Sequence, residues 1–134
     1  MSHLKINLVT PEKLFLSAEV EMLVVPGEMG DFGAMYGHAP FISSIRTGVI
    51  EVHNPGEDTR RIFVSGGFAE VNGESCTILA EELLDVSAIN AETTRTALDD
   101  ARYSLEHSSG DAEKLLLQNV INLAEAKLQV IGAS

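Results

Sequence analysis

Four histidines, one cysteine and three adjacent acidic pairs are the side chains of this 134-residue chain that could do chemistry. Their spacing decides against it. His3, His38, His53 and His107 are scattered, and none stands at the i, i+4 spacing of a helical metal pair. They read as structural or solvated residues. Cys76 is the single cysteine, which excludes an internal disulfide and a cysteine-based zinc site. It follows the alternation of Ile78 and Ala80, the pattern of a small buried apolar side chain. The pairs Glu57-Asp58, Glu81-Glu82 and Asp99-Asp100 suggest acid/base carboxylates. Sequence neighbours point to opposite faces of a strand, however, and do not meet on a helix, so solvated turns and helix faces are the better reading. Ser65-Gly66-Gly67 lacks the glycine two residues before serine that a nucleophile elbow needs. None of the lysines (5, 13, 114 and 127) follows a glycine, which excludes a phosphate-binding P-loop. Gly27, Gly30 and Gly33 recur every third residue, but no helical pattern follows them. They read as a loop needing positive φ at several positions. No reaction centre and no cofactor site emerges.

The charge narrows the remaining roles. Twenty acidic against nine basic residues give −11 at pH 7. That balance argues against wrapping nucleic acid or lying on an anionic membrane, since both need Lys and Arg against phosphate. It favours basic partner surfaces. Tryptophan is absent and aromatics are 5%, which weakens a base-stacking platform. No apolar run approaches the roughly twenty residues of a transmembrane helix, and the start of the chain lacks a signal-peptide stretch. An intracellular, soluble chain is expected.

Two halves with different grammar must hold whatever surface does the binding. Nine of the eleven glycines, all four prolines and all five phenylalanines lie in residues 1–86. Gly and Pro punctuate strands and are excluded from helix interiors. Leu4, Ile6 and Leu8 alternate with Lys5, Asn7 and Val9, and Val20, Met22 and Val24 alternate with Glu19, Glu21 and Leu23. Further strands are expected at 49–53, 62–64, 68–71 and 76–80. Asn54-Pro55-Gly56 is a turn signal, and Asn72-Gly73 has the composition of a type I′ hairpin turn. Many short strands imply an all-β sandwich or barrel. Residues 87–134 read as two helices. Leu98, Ala101 and Leu105 stripe the first, with Asn90 as N-cap. Leu117, Val120, Ile121, Ala124, Leu128 and Ile131 stripe the second, with Asp111 as its cap. The break at His107-Ser108-Ser109-Gly110 implies an antiparallel hairpin. Leu116, Leu123 and Val130 widen the second stripe beyond one partner helix.

Two strings carry a resemblance. The first runs Pro26-Gly27-Glu28-Met29-Gly30-Asp31-Phe32-Gly33-Ala34-Met35-Tyr36-Gly37-His38-Ala39-Pro40-Phe41. The second is Val64-Ser65-Gly66-Gly67-Phe68-Ala69-Glu70-Val71, continuing to Thr77-Ile78-Leu79-Ala80-Glu81. With Leu8-Val9-Thr10-Pro11-Glu12 they resemble the epsilon subunits of bacterial F-type ATP synthases, whose mitochondrial counterpart is delta. Residues 1–86 carry the specific motifs, and the helices agree mainly in pattern and length. Tyr36 departs from the family's usual proline, which should loosen the turn before Gly37-His38.

The resemblance implies a ten-stranded β-sandwich at 1–86 followed by an antiparallel two-helix hairpin at 87–134. It implies a non-catalytic rotor subunit of the central stalk that couples c-ring rotation through gamma to ATP synthesis. Such a subunit sits peripherally at the cytoplasmic face of the bacterial inner membrane. It implies no cofactor and no metal. By position, Thr10, His38 and Ser43 fall on the gamma-facing side, and Glu28 and Asp31 in a loop facing the c-ring. The hairpin would regulate ATP hydrolysis through the alpha and beta catalytic subunits. Its only cations, Arg95, Arg102, Lys114 and Lys127, argue against strong inhibition. Some members bind ATP on the hairpin through an Asp-x-x-Arg pattern early in the first helix. Ile89-Asn90-Ala91-Glu92-Thr93 lacks it; Asp99 and Arg102 have the spacing, but later, and read better as an exposed ion-pair face. The alternative to a rotor subunit is a free-standing β-sandwich interaction module with a helical tail.

Overall fold

Alternating burial organises the first unit. The computed structural model describes residues 3–132. Its strands are β1 (Leu4–Val9), β2 (Leu14–Val20), β3 (Met22–Gly27), β4 (Gly30–Met35), β5 (Phe41–Ser44), β6 (Gly48–His53), β7 (Arg60–Val71) and β8 (Ser75–Asp85). A short 3-10 turn at Val86–Ala88 precedes α1 (Ala91–Glu106) and α2 (Asp111–Val130). The chain divides into two compact units, Met1–Ser87 and Ala88–Ser134.

The strands are hydrogen-bonded in the order β2-β1-β8-β7-β6-β3-β4, with β5 also on β7. Register shows how this one sheet makes two layers. The first part of β7 pairs with β6 through Arg60–Val64, and the last part pairs with β5 through Phe68–Val71. β8 accompanies β7 throughout, and its Ser75–Leu79 segment also pairs with β1, in parallel. One layer is thus β2-β1-β8-β7-β5, the other β8-β7-β6-β3-β4. The fold from layer to layer falls at Gly66 and Gly67, with φ of 61° and 132°. A Cβ on Gly67 would stand 1.9 Å from the Leu79 carbonyl oxygen, so only glycine lets β8 pass that close. Eight strands are present among the described residues where ten were expected. The difference lies in β7 and β8, which run unbroken through the kink and serve both layers.

Inward side chains of both layers form one core, including Leu4, Ile6, Leu8, Leu23, Val25, Ile50, Ile62, Val64 and Ile78. The expected alternation over 20–24 slips phase. Val20 is buried, but so are Leu23 and Val25, while Met22 and Val24 are half-buried. The chain bends at Glu21, whose backbone N–H donates to Asn54 Oδ1 at 3.0 Å, and two strands replace one. The Asn72-Gly73 turn also differs. Neither residue has positive φ, which rules out type I′. Instead Asn72 Oδ1 accepts the N–H groups of Glu74 and Ser75, an Asx turn.

In the second unit, Leu98 and Ala101 pack with Ile121, Ala124 and Leu128. Asn90 caps α1, accepting the Thr93 N–H at 2.8 Å. Gly110, not Asp111, is the N-cap of α2, and no side chain caps it. Asp111 lies inside the first turn, where its charge meets the positive end of the dipole. Leu115, Leu116 and Val120 are exposed.

Candidate functional site

No group of three or more His, Cys, Asp or Glu among the described residues could hold a metal. Burial pushes the Cys76 thiol up to about 12, so it is a protonated core side chain. No helix among the described residues is long and apolar enough to cross a membrane.

An apolar row on the outer face of the β2-β1-β8-β7-β5 layer stands out. Phe68 pairs across strands with Leu79, Leu79 with Val9, and Val9 with Leu14. Phe68, Leu79 and Leu14 are 56%, 52% and 56% exposed. Ile42, exposed on β5, flanks the row diagonally from Phe68. Four large apolar side chains lined up on a solvated face are characteristic of a docking surface. Beside the row, Val9, Thr10, Pro11, Phe68 and Leu79 line a groove with Glu81 at its margin. The sequence carried the signal in Ile78-Leu79-Ala80. Three consecutive apolar residues in an alternating strand force one large side chain outward, onto the wrong face for a core.

The residues singled out by position are distributed as follows. Thr10 lies in the groove wall, 9% exposed, donating through Oγ1 to the Lys13 carbonyl at 3.3 Å. Ser43 is half-buried on β5 and pairs with the fully buried Ala69, so it faces the inner side of the layer. Its neighbours Ile42 and Ser44 face outward. His38 lies beyond the other end of β5, its Nδ1 donating to the Ala39 carbonyl at 2.6 Å and its ring 5.1 Å from Phe41. The structure therefore brings Thr10 to the groove, and leaves Ser43 on the inner side of the layer and His38 apart from both. The turn before His38 closes despite Tyr36. His38 N–H donates to the Met35 carbonyl at 3.1 Å, and Gly37 takes φ 89°. Tyr36 occupies the turn position that proline favours without requiring it.

Glu28 and Asp31 lie on the β3–β4 hairpin, Glu28 in its two-residue tip and Asp31 on β4 opposite Pro26. Asp31 is ion-paired with Arg46, a residue that sequence reasoning did not single out. Asp99 and Arg102 line a recess of α1 and α2 with Arg95, Glu125 and Gln129. Arg102 Nη2 donates to Glu125 Oε2 at 2.9 Å.

Comparison with known proteins agrees with this architecture. A family model described as ATP synthase, Delta/Epsilon chain, beta-sandwich domain, matches residues 3–86. The ATP synthase epsilon chain of Rhodospirillum rubrum is 48% identical over 122 residues, covering 91% of each chain. That of Paramagnetospirillum magneticum is 42% identical over 129 residues, covering 96% of this chain and 97% of the other. A chain in the cryo-EM structure of the Euglena gracilis mitochondrial ATP synthase, comprising OSCP, F1 and c-ring, superposes with a TM-score of 0.71 at 22% identity. The match covers 99% of this chain and 79% of that one. The sandwich, the two helices and the relatives converge: the chain belongs to the ATP synthase delta/epsilon family, as an epsilon chain, a non-catalytic subunit of the ATP synthase complex.

Proposed function

We propose that the chain is a rotor subunit that couples rotation of a c-ring, through gamma, to ATP synthesis. In this reading residues 1–86 grip gamma with the outer face of one layer and meet the ring with the β3–β4 hairpin. Residues 87–134 form an antiparallel hairpin that regulates hydrolysis at the alpha and beta subunits. The complex lies at the cytoplasmic face of the bacterial inner membrane. Contacts between Arg102 and Glu125, and within the cluster of Leu98 and Leu128, support the antiparallel pairing. Nucleotide binding is not part of the proposal, because Arg102 is already matched by Glu125.

One observation carries it: the cross-strand row in which exposed Phe68, Leu79 and Leu14 flank half-buried Val9. A rotor contact must resist shear. Exposed charge pairs worth about 0–1 kcal/mol each are too weak, whereas buried large apolar side chains supply the holding energy. Thr10 and Ile42 on β5 border this row, Ser43 lies behind it on the inner side of the layer, and His38 adds a peripheral contact.

Co-purification with the gamma subunit of the same cell tests the reading. Phe68→Gln with Leu79→Gln should weaken the complex about a hundredfold while leaving the thermal midpoint nearly unchanged, since both side chains are outside the core. Unchanged binding would move the gamma contact off this row, and no binding of the natural chain to gamma would favour a free-standing interaction module.

A further inference from the structure

The β3–β4 hairpin is a prong with a tightly held tip. Gly27 pairs with Gly30, leaving Glu28 and Met29 as the connection. Met29 is 99% exposed, the highest value among the exposed large apolar side chains of the described residues. Glu28 N–H donates to the Ser44 carbonyl and Arg46 N–H to the Pro26 carbonyl, both at 2.9 Å, and Gly27 bridges Ile45. The Arg46 guanidinium completes the anchorage. Its Nη1 donates to the Gly27 carbonyl at 2.6 Å and its Nη2 to Asp31 Oδ1. Glu28, by contrast, has a carboxylate with no partner among the described residues. A fully exposed methionine on a backbone fixed from both sides is a contact prepared before its partner arrives.

We propose that Arg46 is a positioning residue that cancels the charge of Asp31, so that the prong meets its partner through Glu28 and Met29. The partner it fits offers an apolar socket rimmed by a Lys or Arg. This rests on the reading of the prong as the ring-facing contact. Asp31 then contributes geometry, and Glu28 alone supplies the charge that the partner feels.

Binding of the full-length chain, complexed with gamma, to the detergent-solubilised c-ring tests this across a range of NaCl concentrations. Glu28→Gln should weaken binding about two- to fivefold and flatten its salt dependence. Met29→Ser should weaken it about tenfold with little effect on the salt dependence. Asp31→Asn should weaken it by leaving Arg46 unmatched against a basic rim. The double variant Asp31→Asn with Arg46→Gln should recover most of that loss, because the pair removed is neutral and the backbone bonds of Glu28 and Arg46 still hold the tip, with only the Arg46 side-chain contact to the Gly27 carbonyl missing. A double variant as weak as Asp31→Asn alone would mean that Asp31 itself touches the ring, which overturns the proposal and leaves the ring-facing reading standing. No change in any variant would remove both. Thermal midpoints of all variants, read alongside, separate loss of contact from loss of fold.

Discussion

At the scale of single residues, Gly67 carries the heaviest constraint. Gly67→Ala puts a methyl group against the Leu79 carbonyl at a φ that L side chains rarely adopt. The expected cost is about 3 kcal/mol, measurable by urea unfolding of the full chain. Arg60 and Asp85 make a milder pair. Arg60 Nε and Nη2 donate to the two carboxylate oxygens at 2.8 and 2.9 Å, and the guanidinium lies 5.8 Å from the centre of the Phe15 ring. The hydrogen bonds from Arg60 hold the Asp85 carboxyl below its ordinary range, against the opposing effect of partial burial. A depressed folded pKa stabilises only where the carboxylate is ionised. The contribution is therefore present above the unfolded value of about 4 and fades as pH falls through the folded one. Asp85→Asn should cost about 0.5–1 kcal/mol near neutral pH. Its thermal midpoint should converge on the natural one in increasingly acidic buffer. None of these residues could have been chosen from their types. Gly66-Gly67 was legible as a motif, but the carbonyl it must clear lies on β8, twelve residues away in sequence. Arg46 and Asp31 are joined only by folding, so a reading by position put Asp31 in the ring-facing loop without its partner.

Among the elements, legibility followed periodicity. Helix α1 and its cap could be read directly, because a 3.6-residue stripe and an Asn before it are local signals. Asn90→Ala should cost about 1 kcal/mol and reduce helicity in circular dichroism, since Thr93 N–H loses its acceptor. Strands were legible as a class, and less so in number and in phase. Glu21 shows why: a single bend flips every later side chain to the other face, and its cause is Asn54, far along the chain. The Asn72-Gly73 turn misled for a related reason. Its composition suits a two-residue loop, yet the Asn72 side chain captures two backbone donors and lengthens the connection. The outward row of Phe68 and Leu79 was visible as an excess of apolar residues, but which of Ile78, Leu79 and Ala80 faces out depends on pairing with β1.

For the whole molecule, the division at Ser87 makes a simple expectation. Residues 1–87 contain the sandwich core, and the helices have a separate one. Deleting residues 88–134 should leave a chain with dispersed amide resonances and a cooperative thermal transition. A molten product would show that the sandwich depends on the helices. The gross architecture, strands followed by helices, was readable from where glycine and proline stop. The pairing order was not, because strands that neighbour in space are remote in sequence, as β1 is from β8.

The passage of β7 through both layers has a mechanical consequence. Gly67 accepts the Ile45 N–H at 2.9 Å, and Ile45 bridges Gly27 at the base of the prong. The apolar row and the prong tip are thus linked by a few backbone units. In the proposed rotor, a load entering at one would pass to the other through covalent chain and backbone hydrogen bonds, with little compliant side-chain packing to absorb it. Stiffness of that kind is a property of the wiring, and it would survive wide changes in the residues that fill the interior.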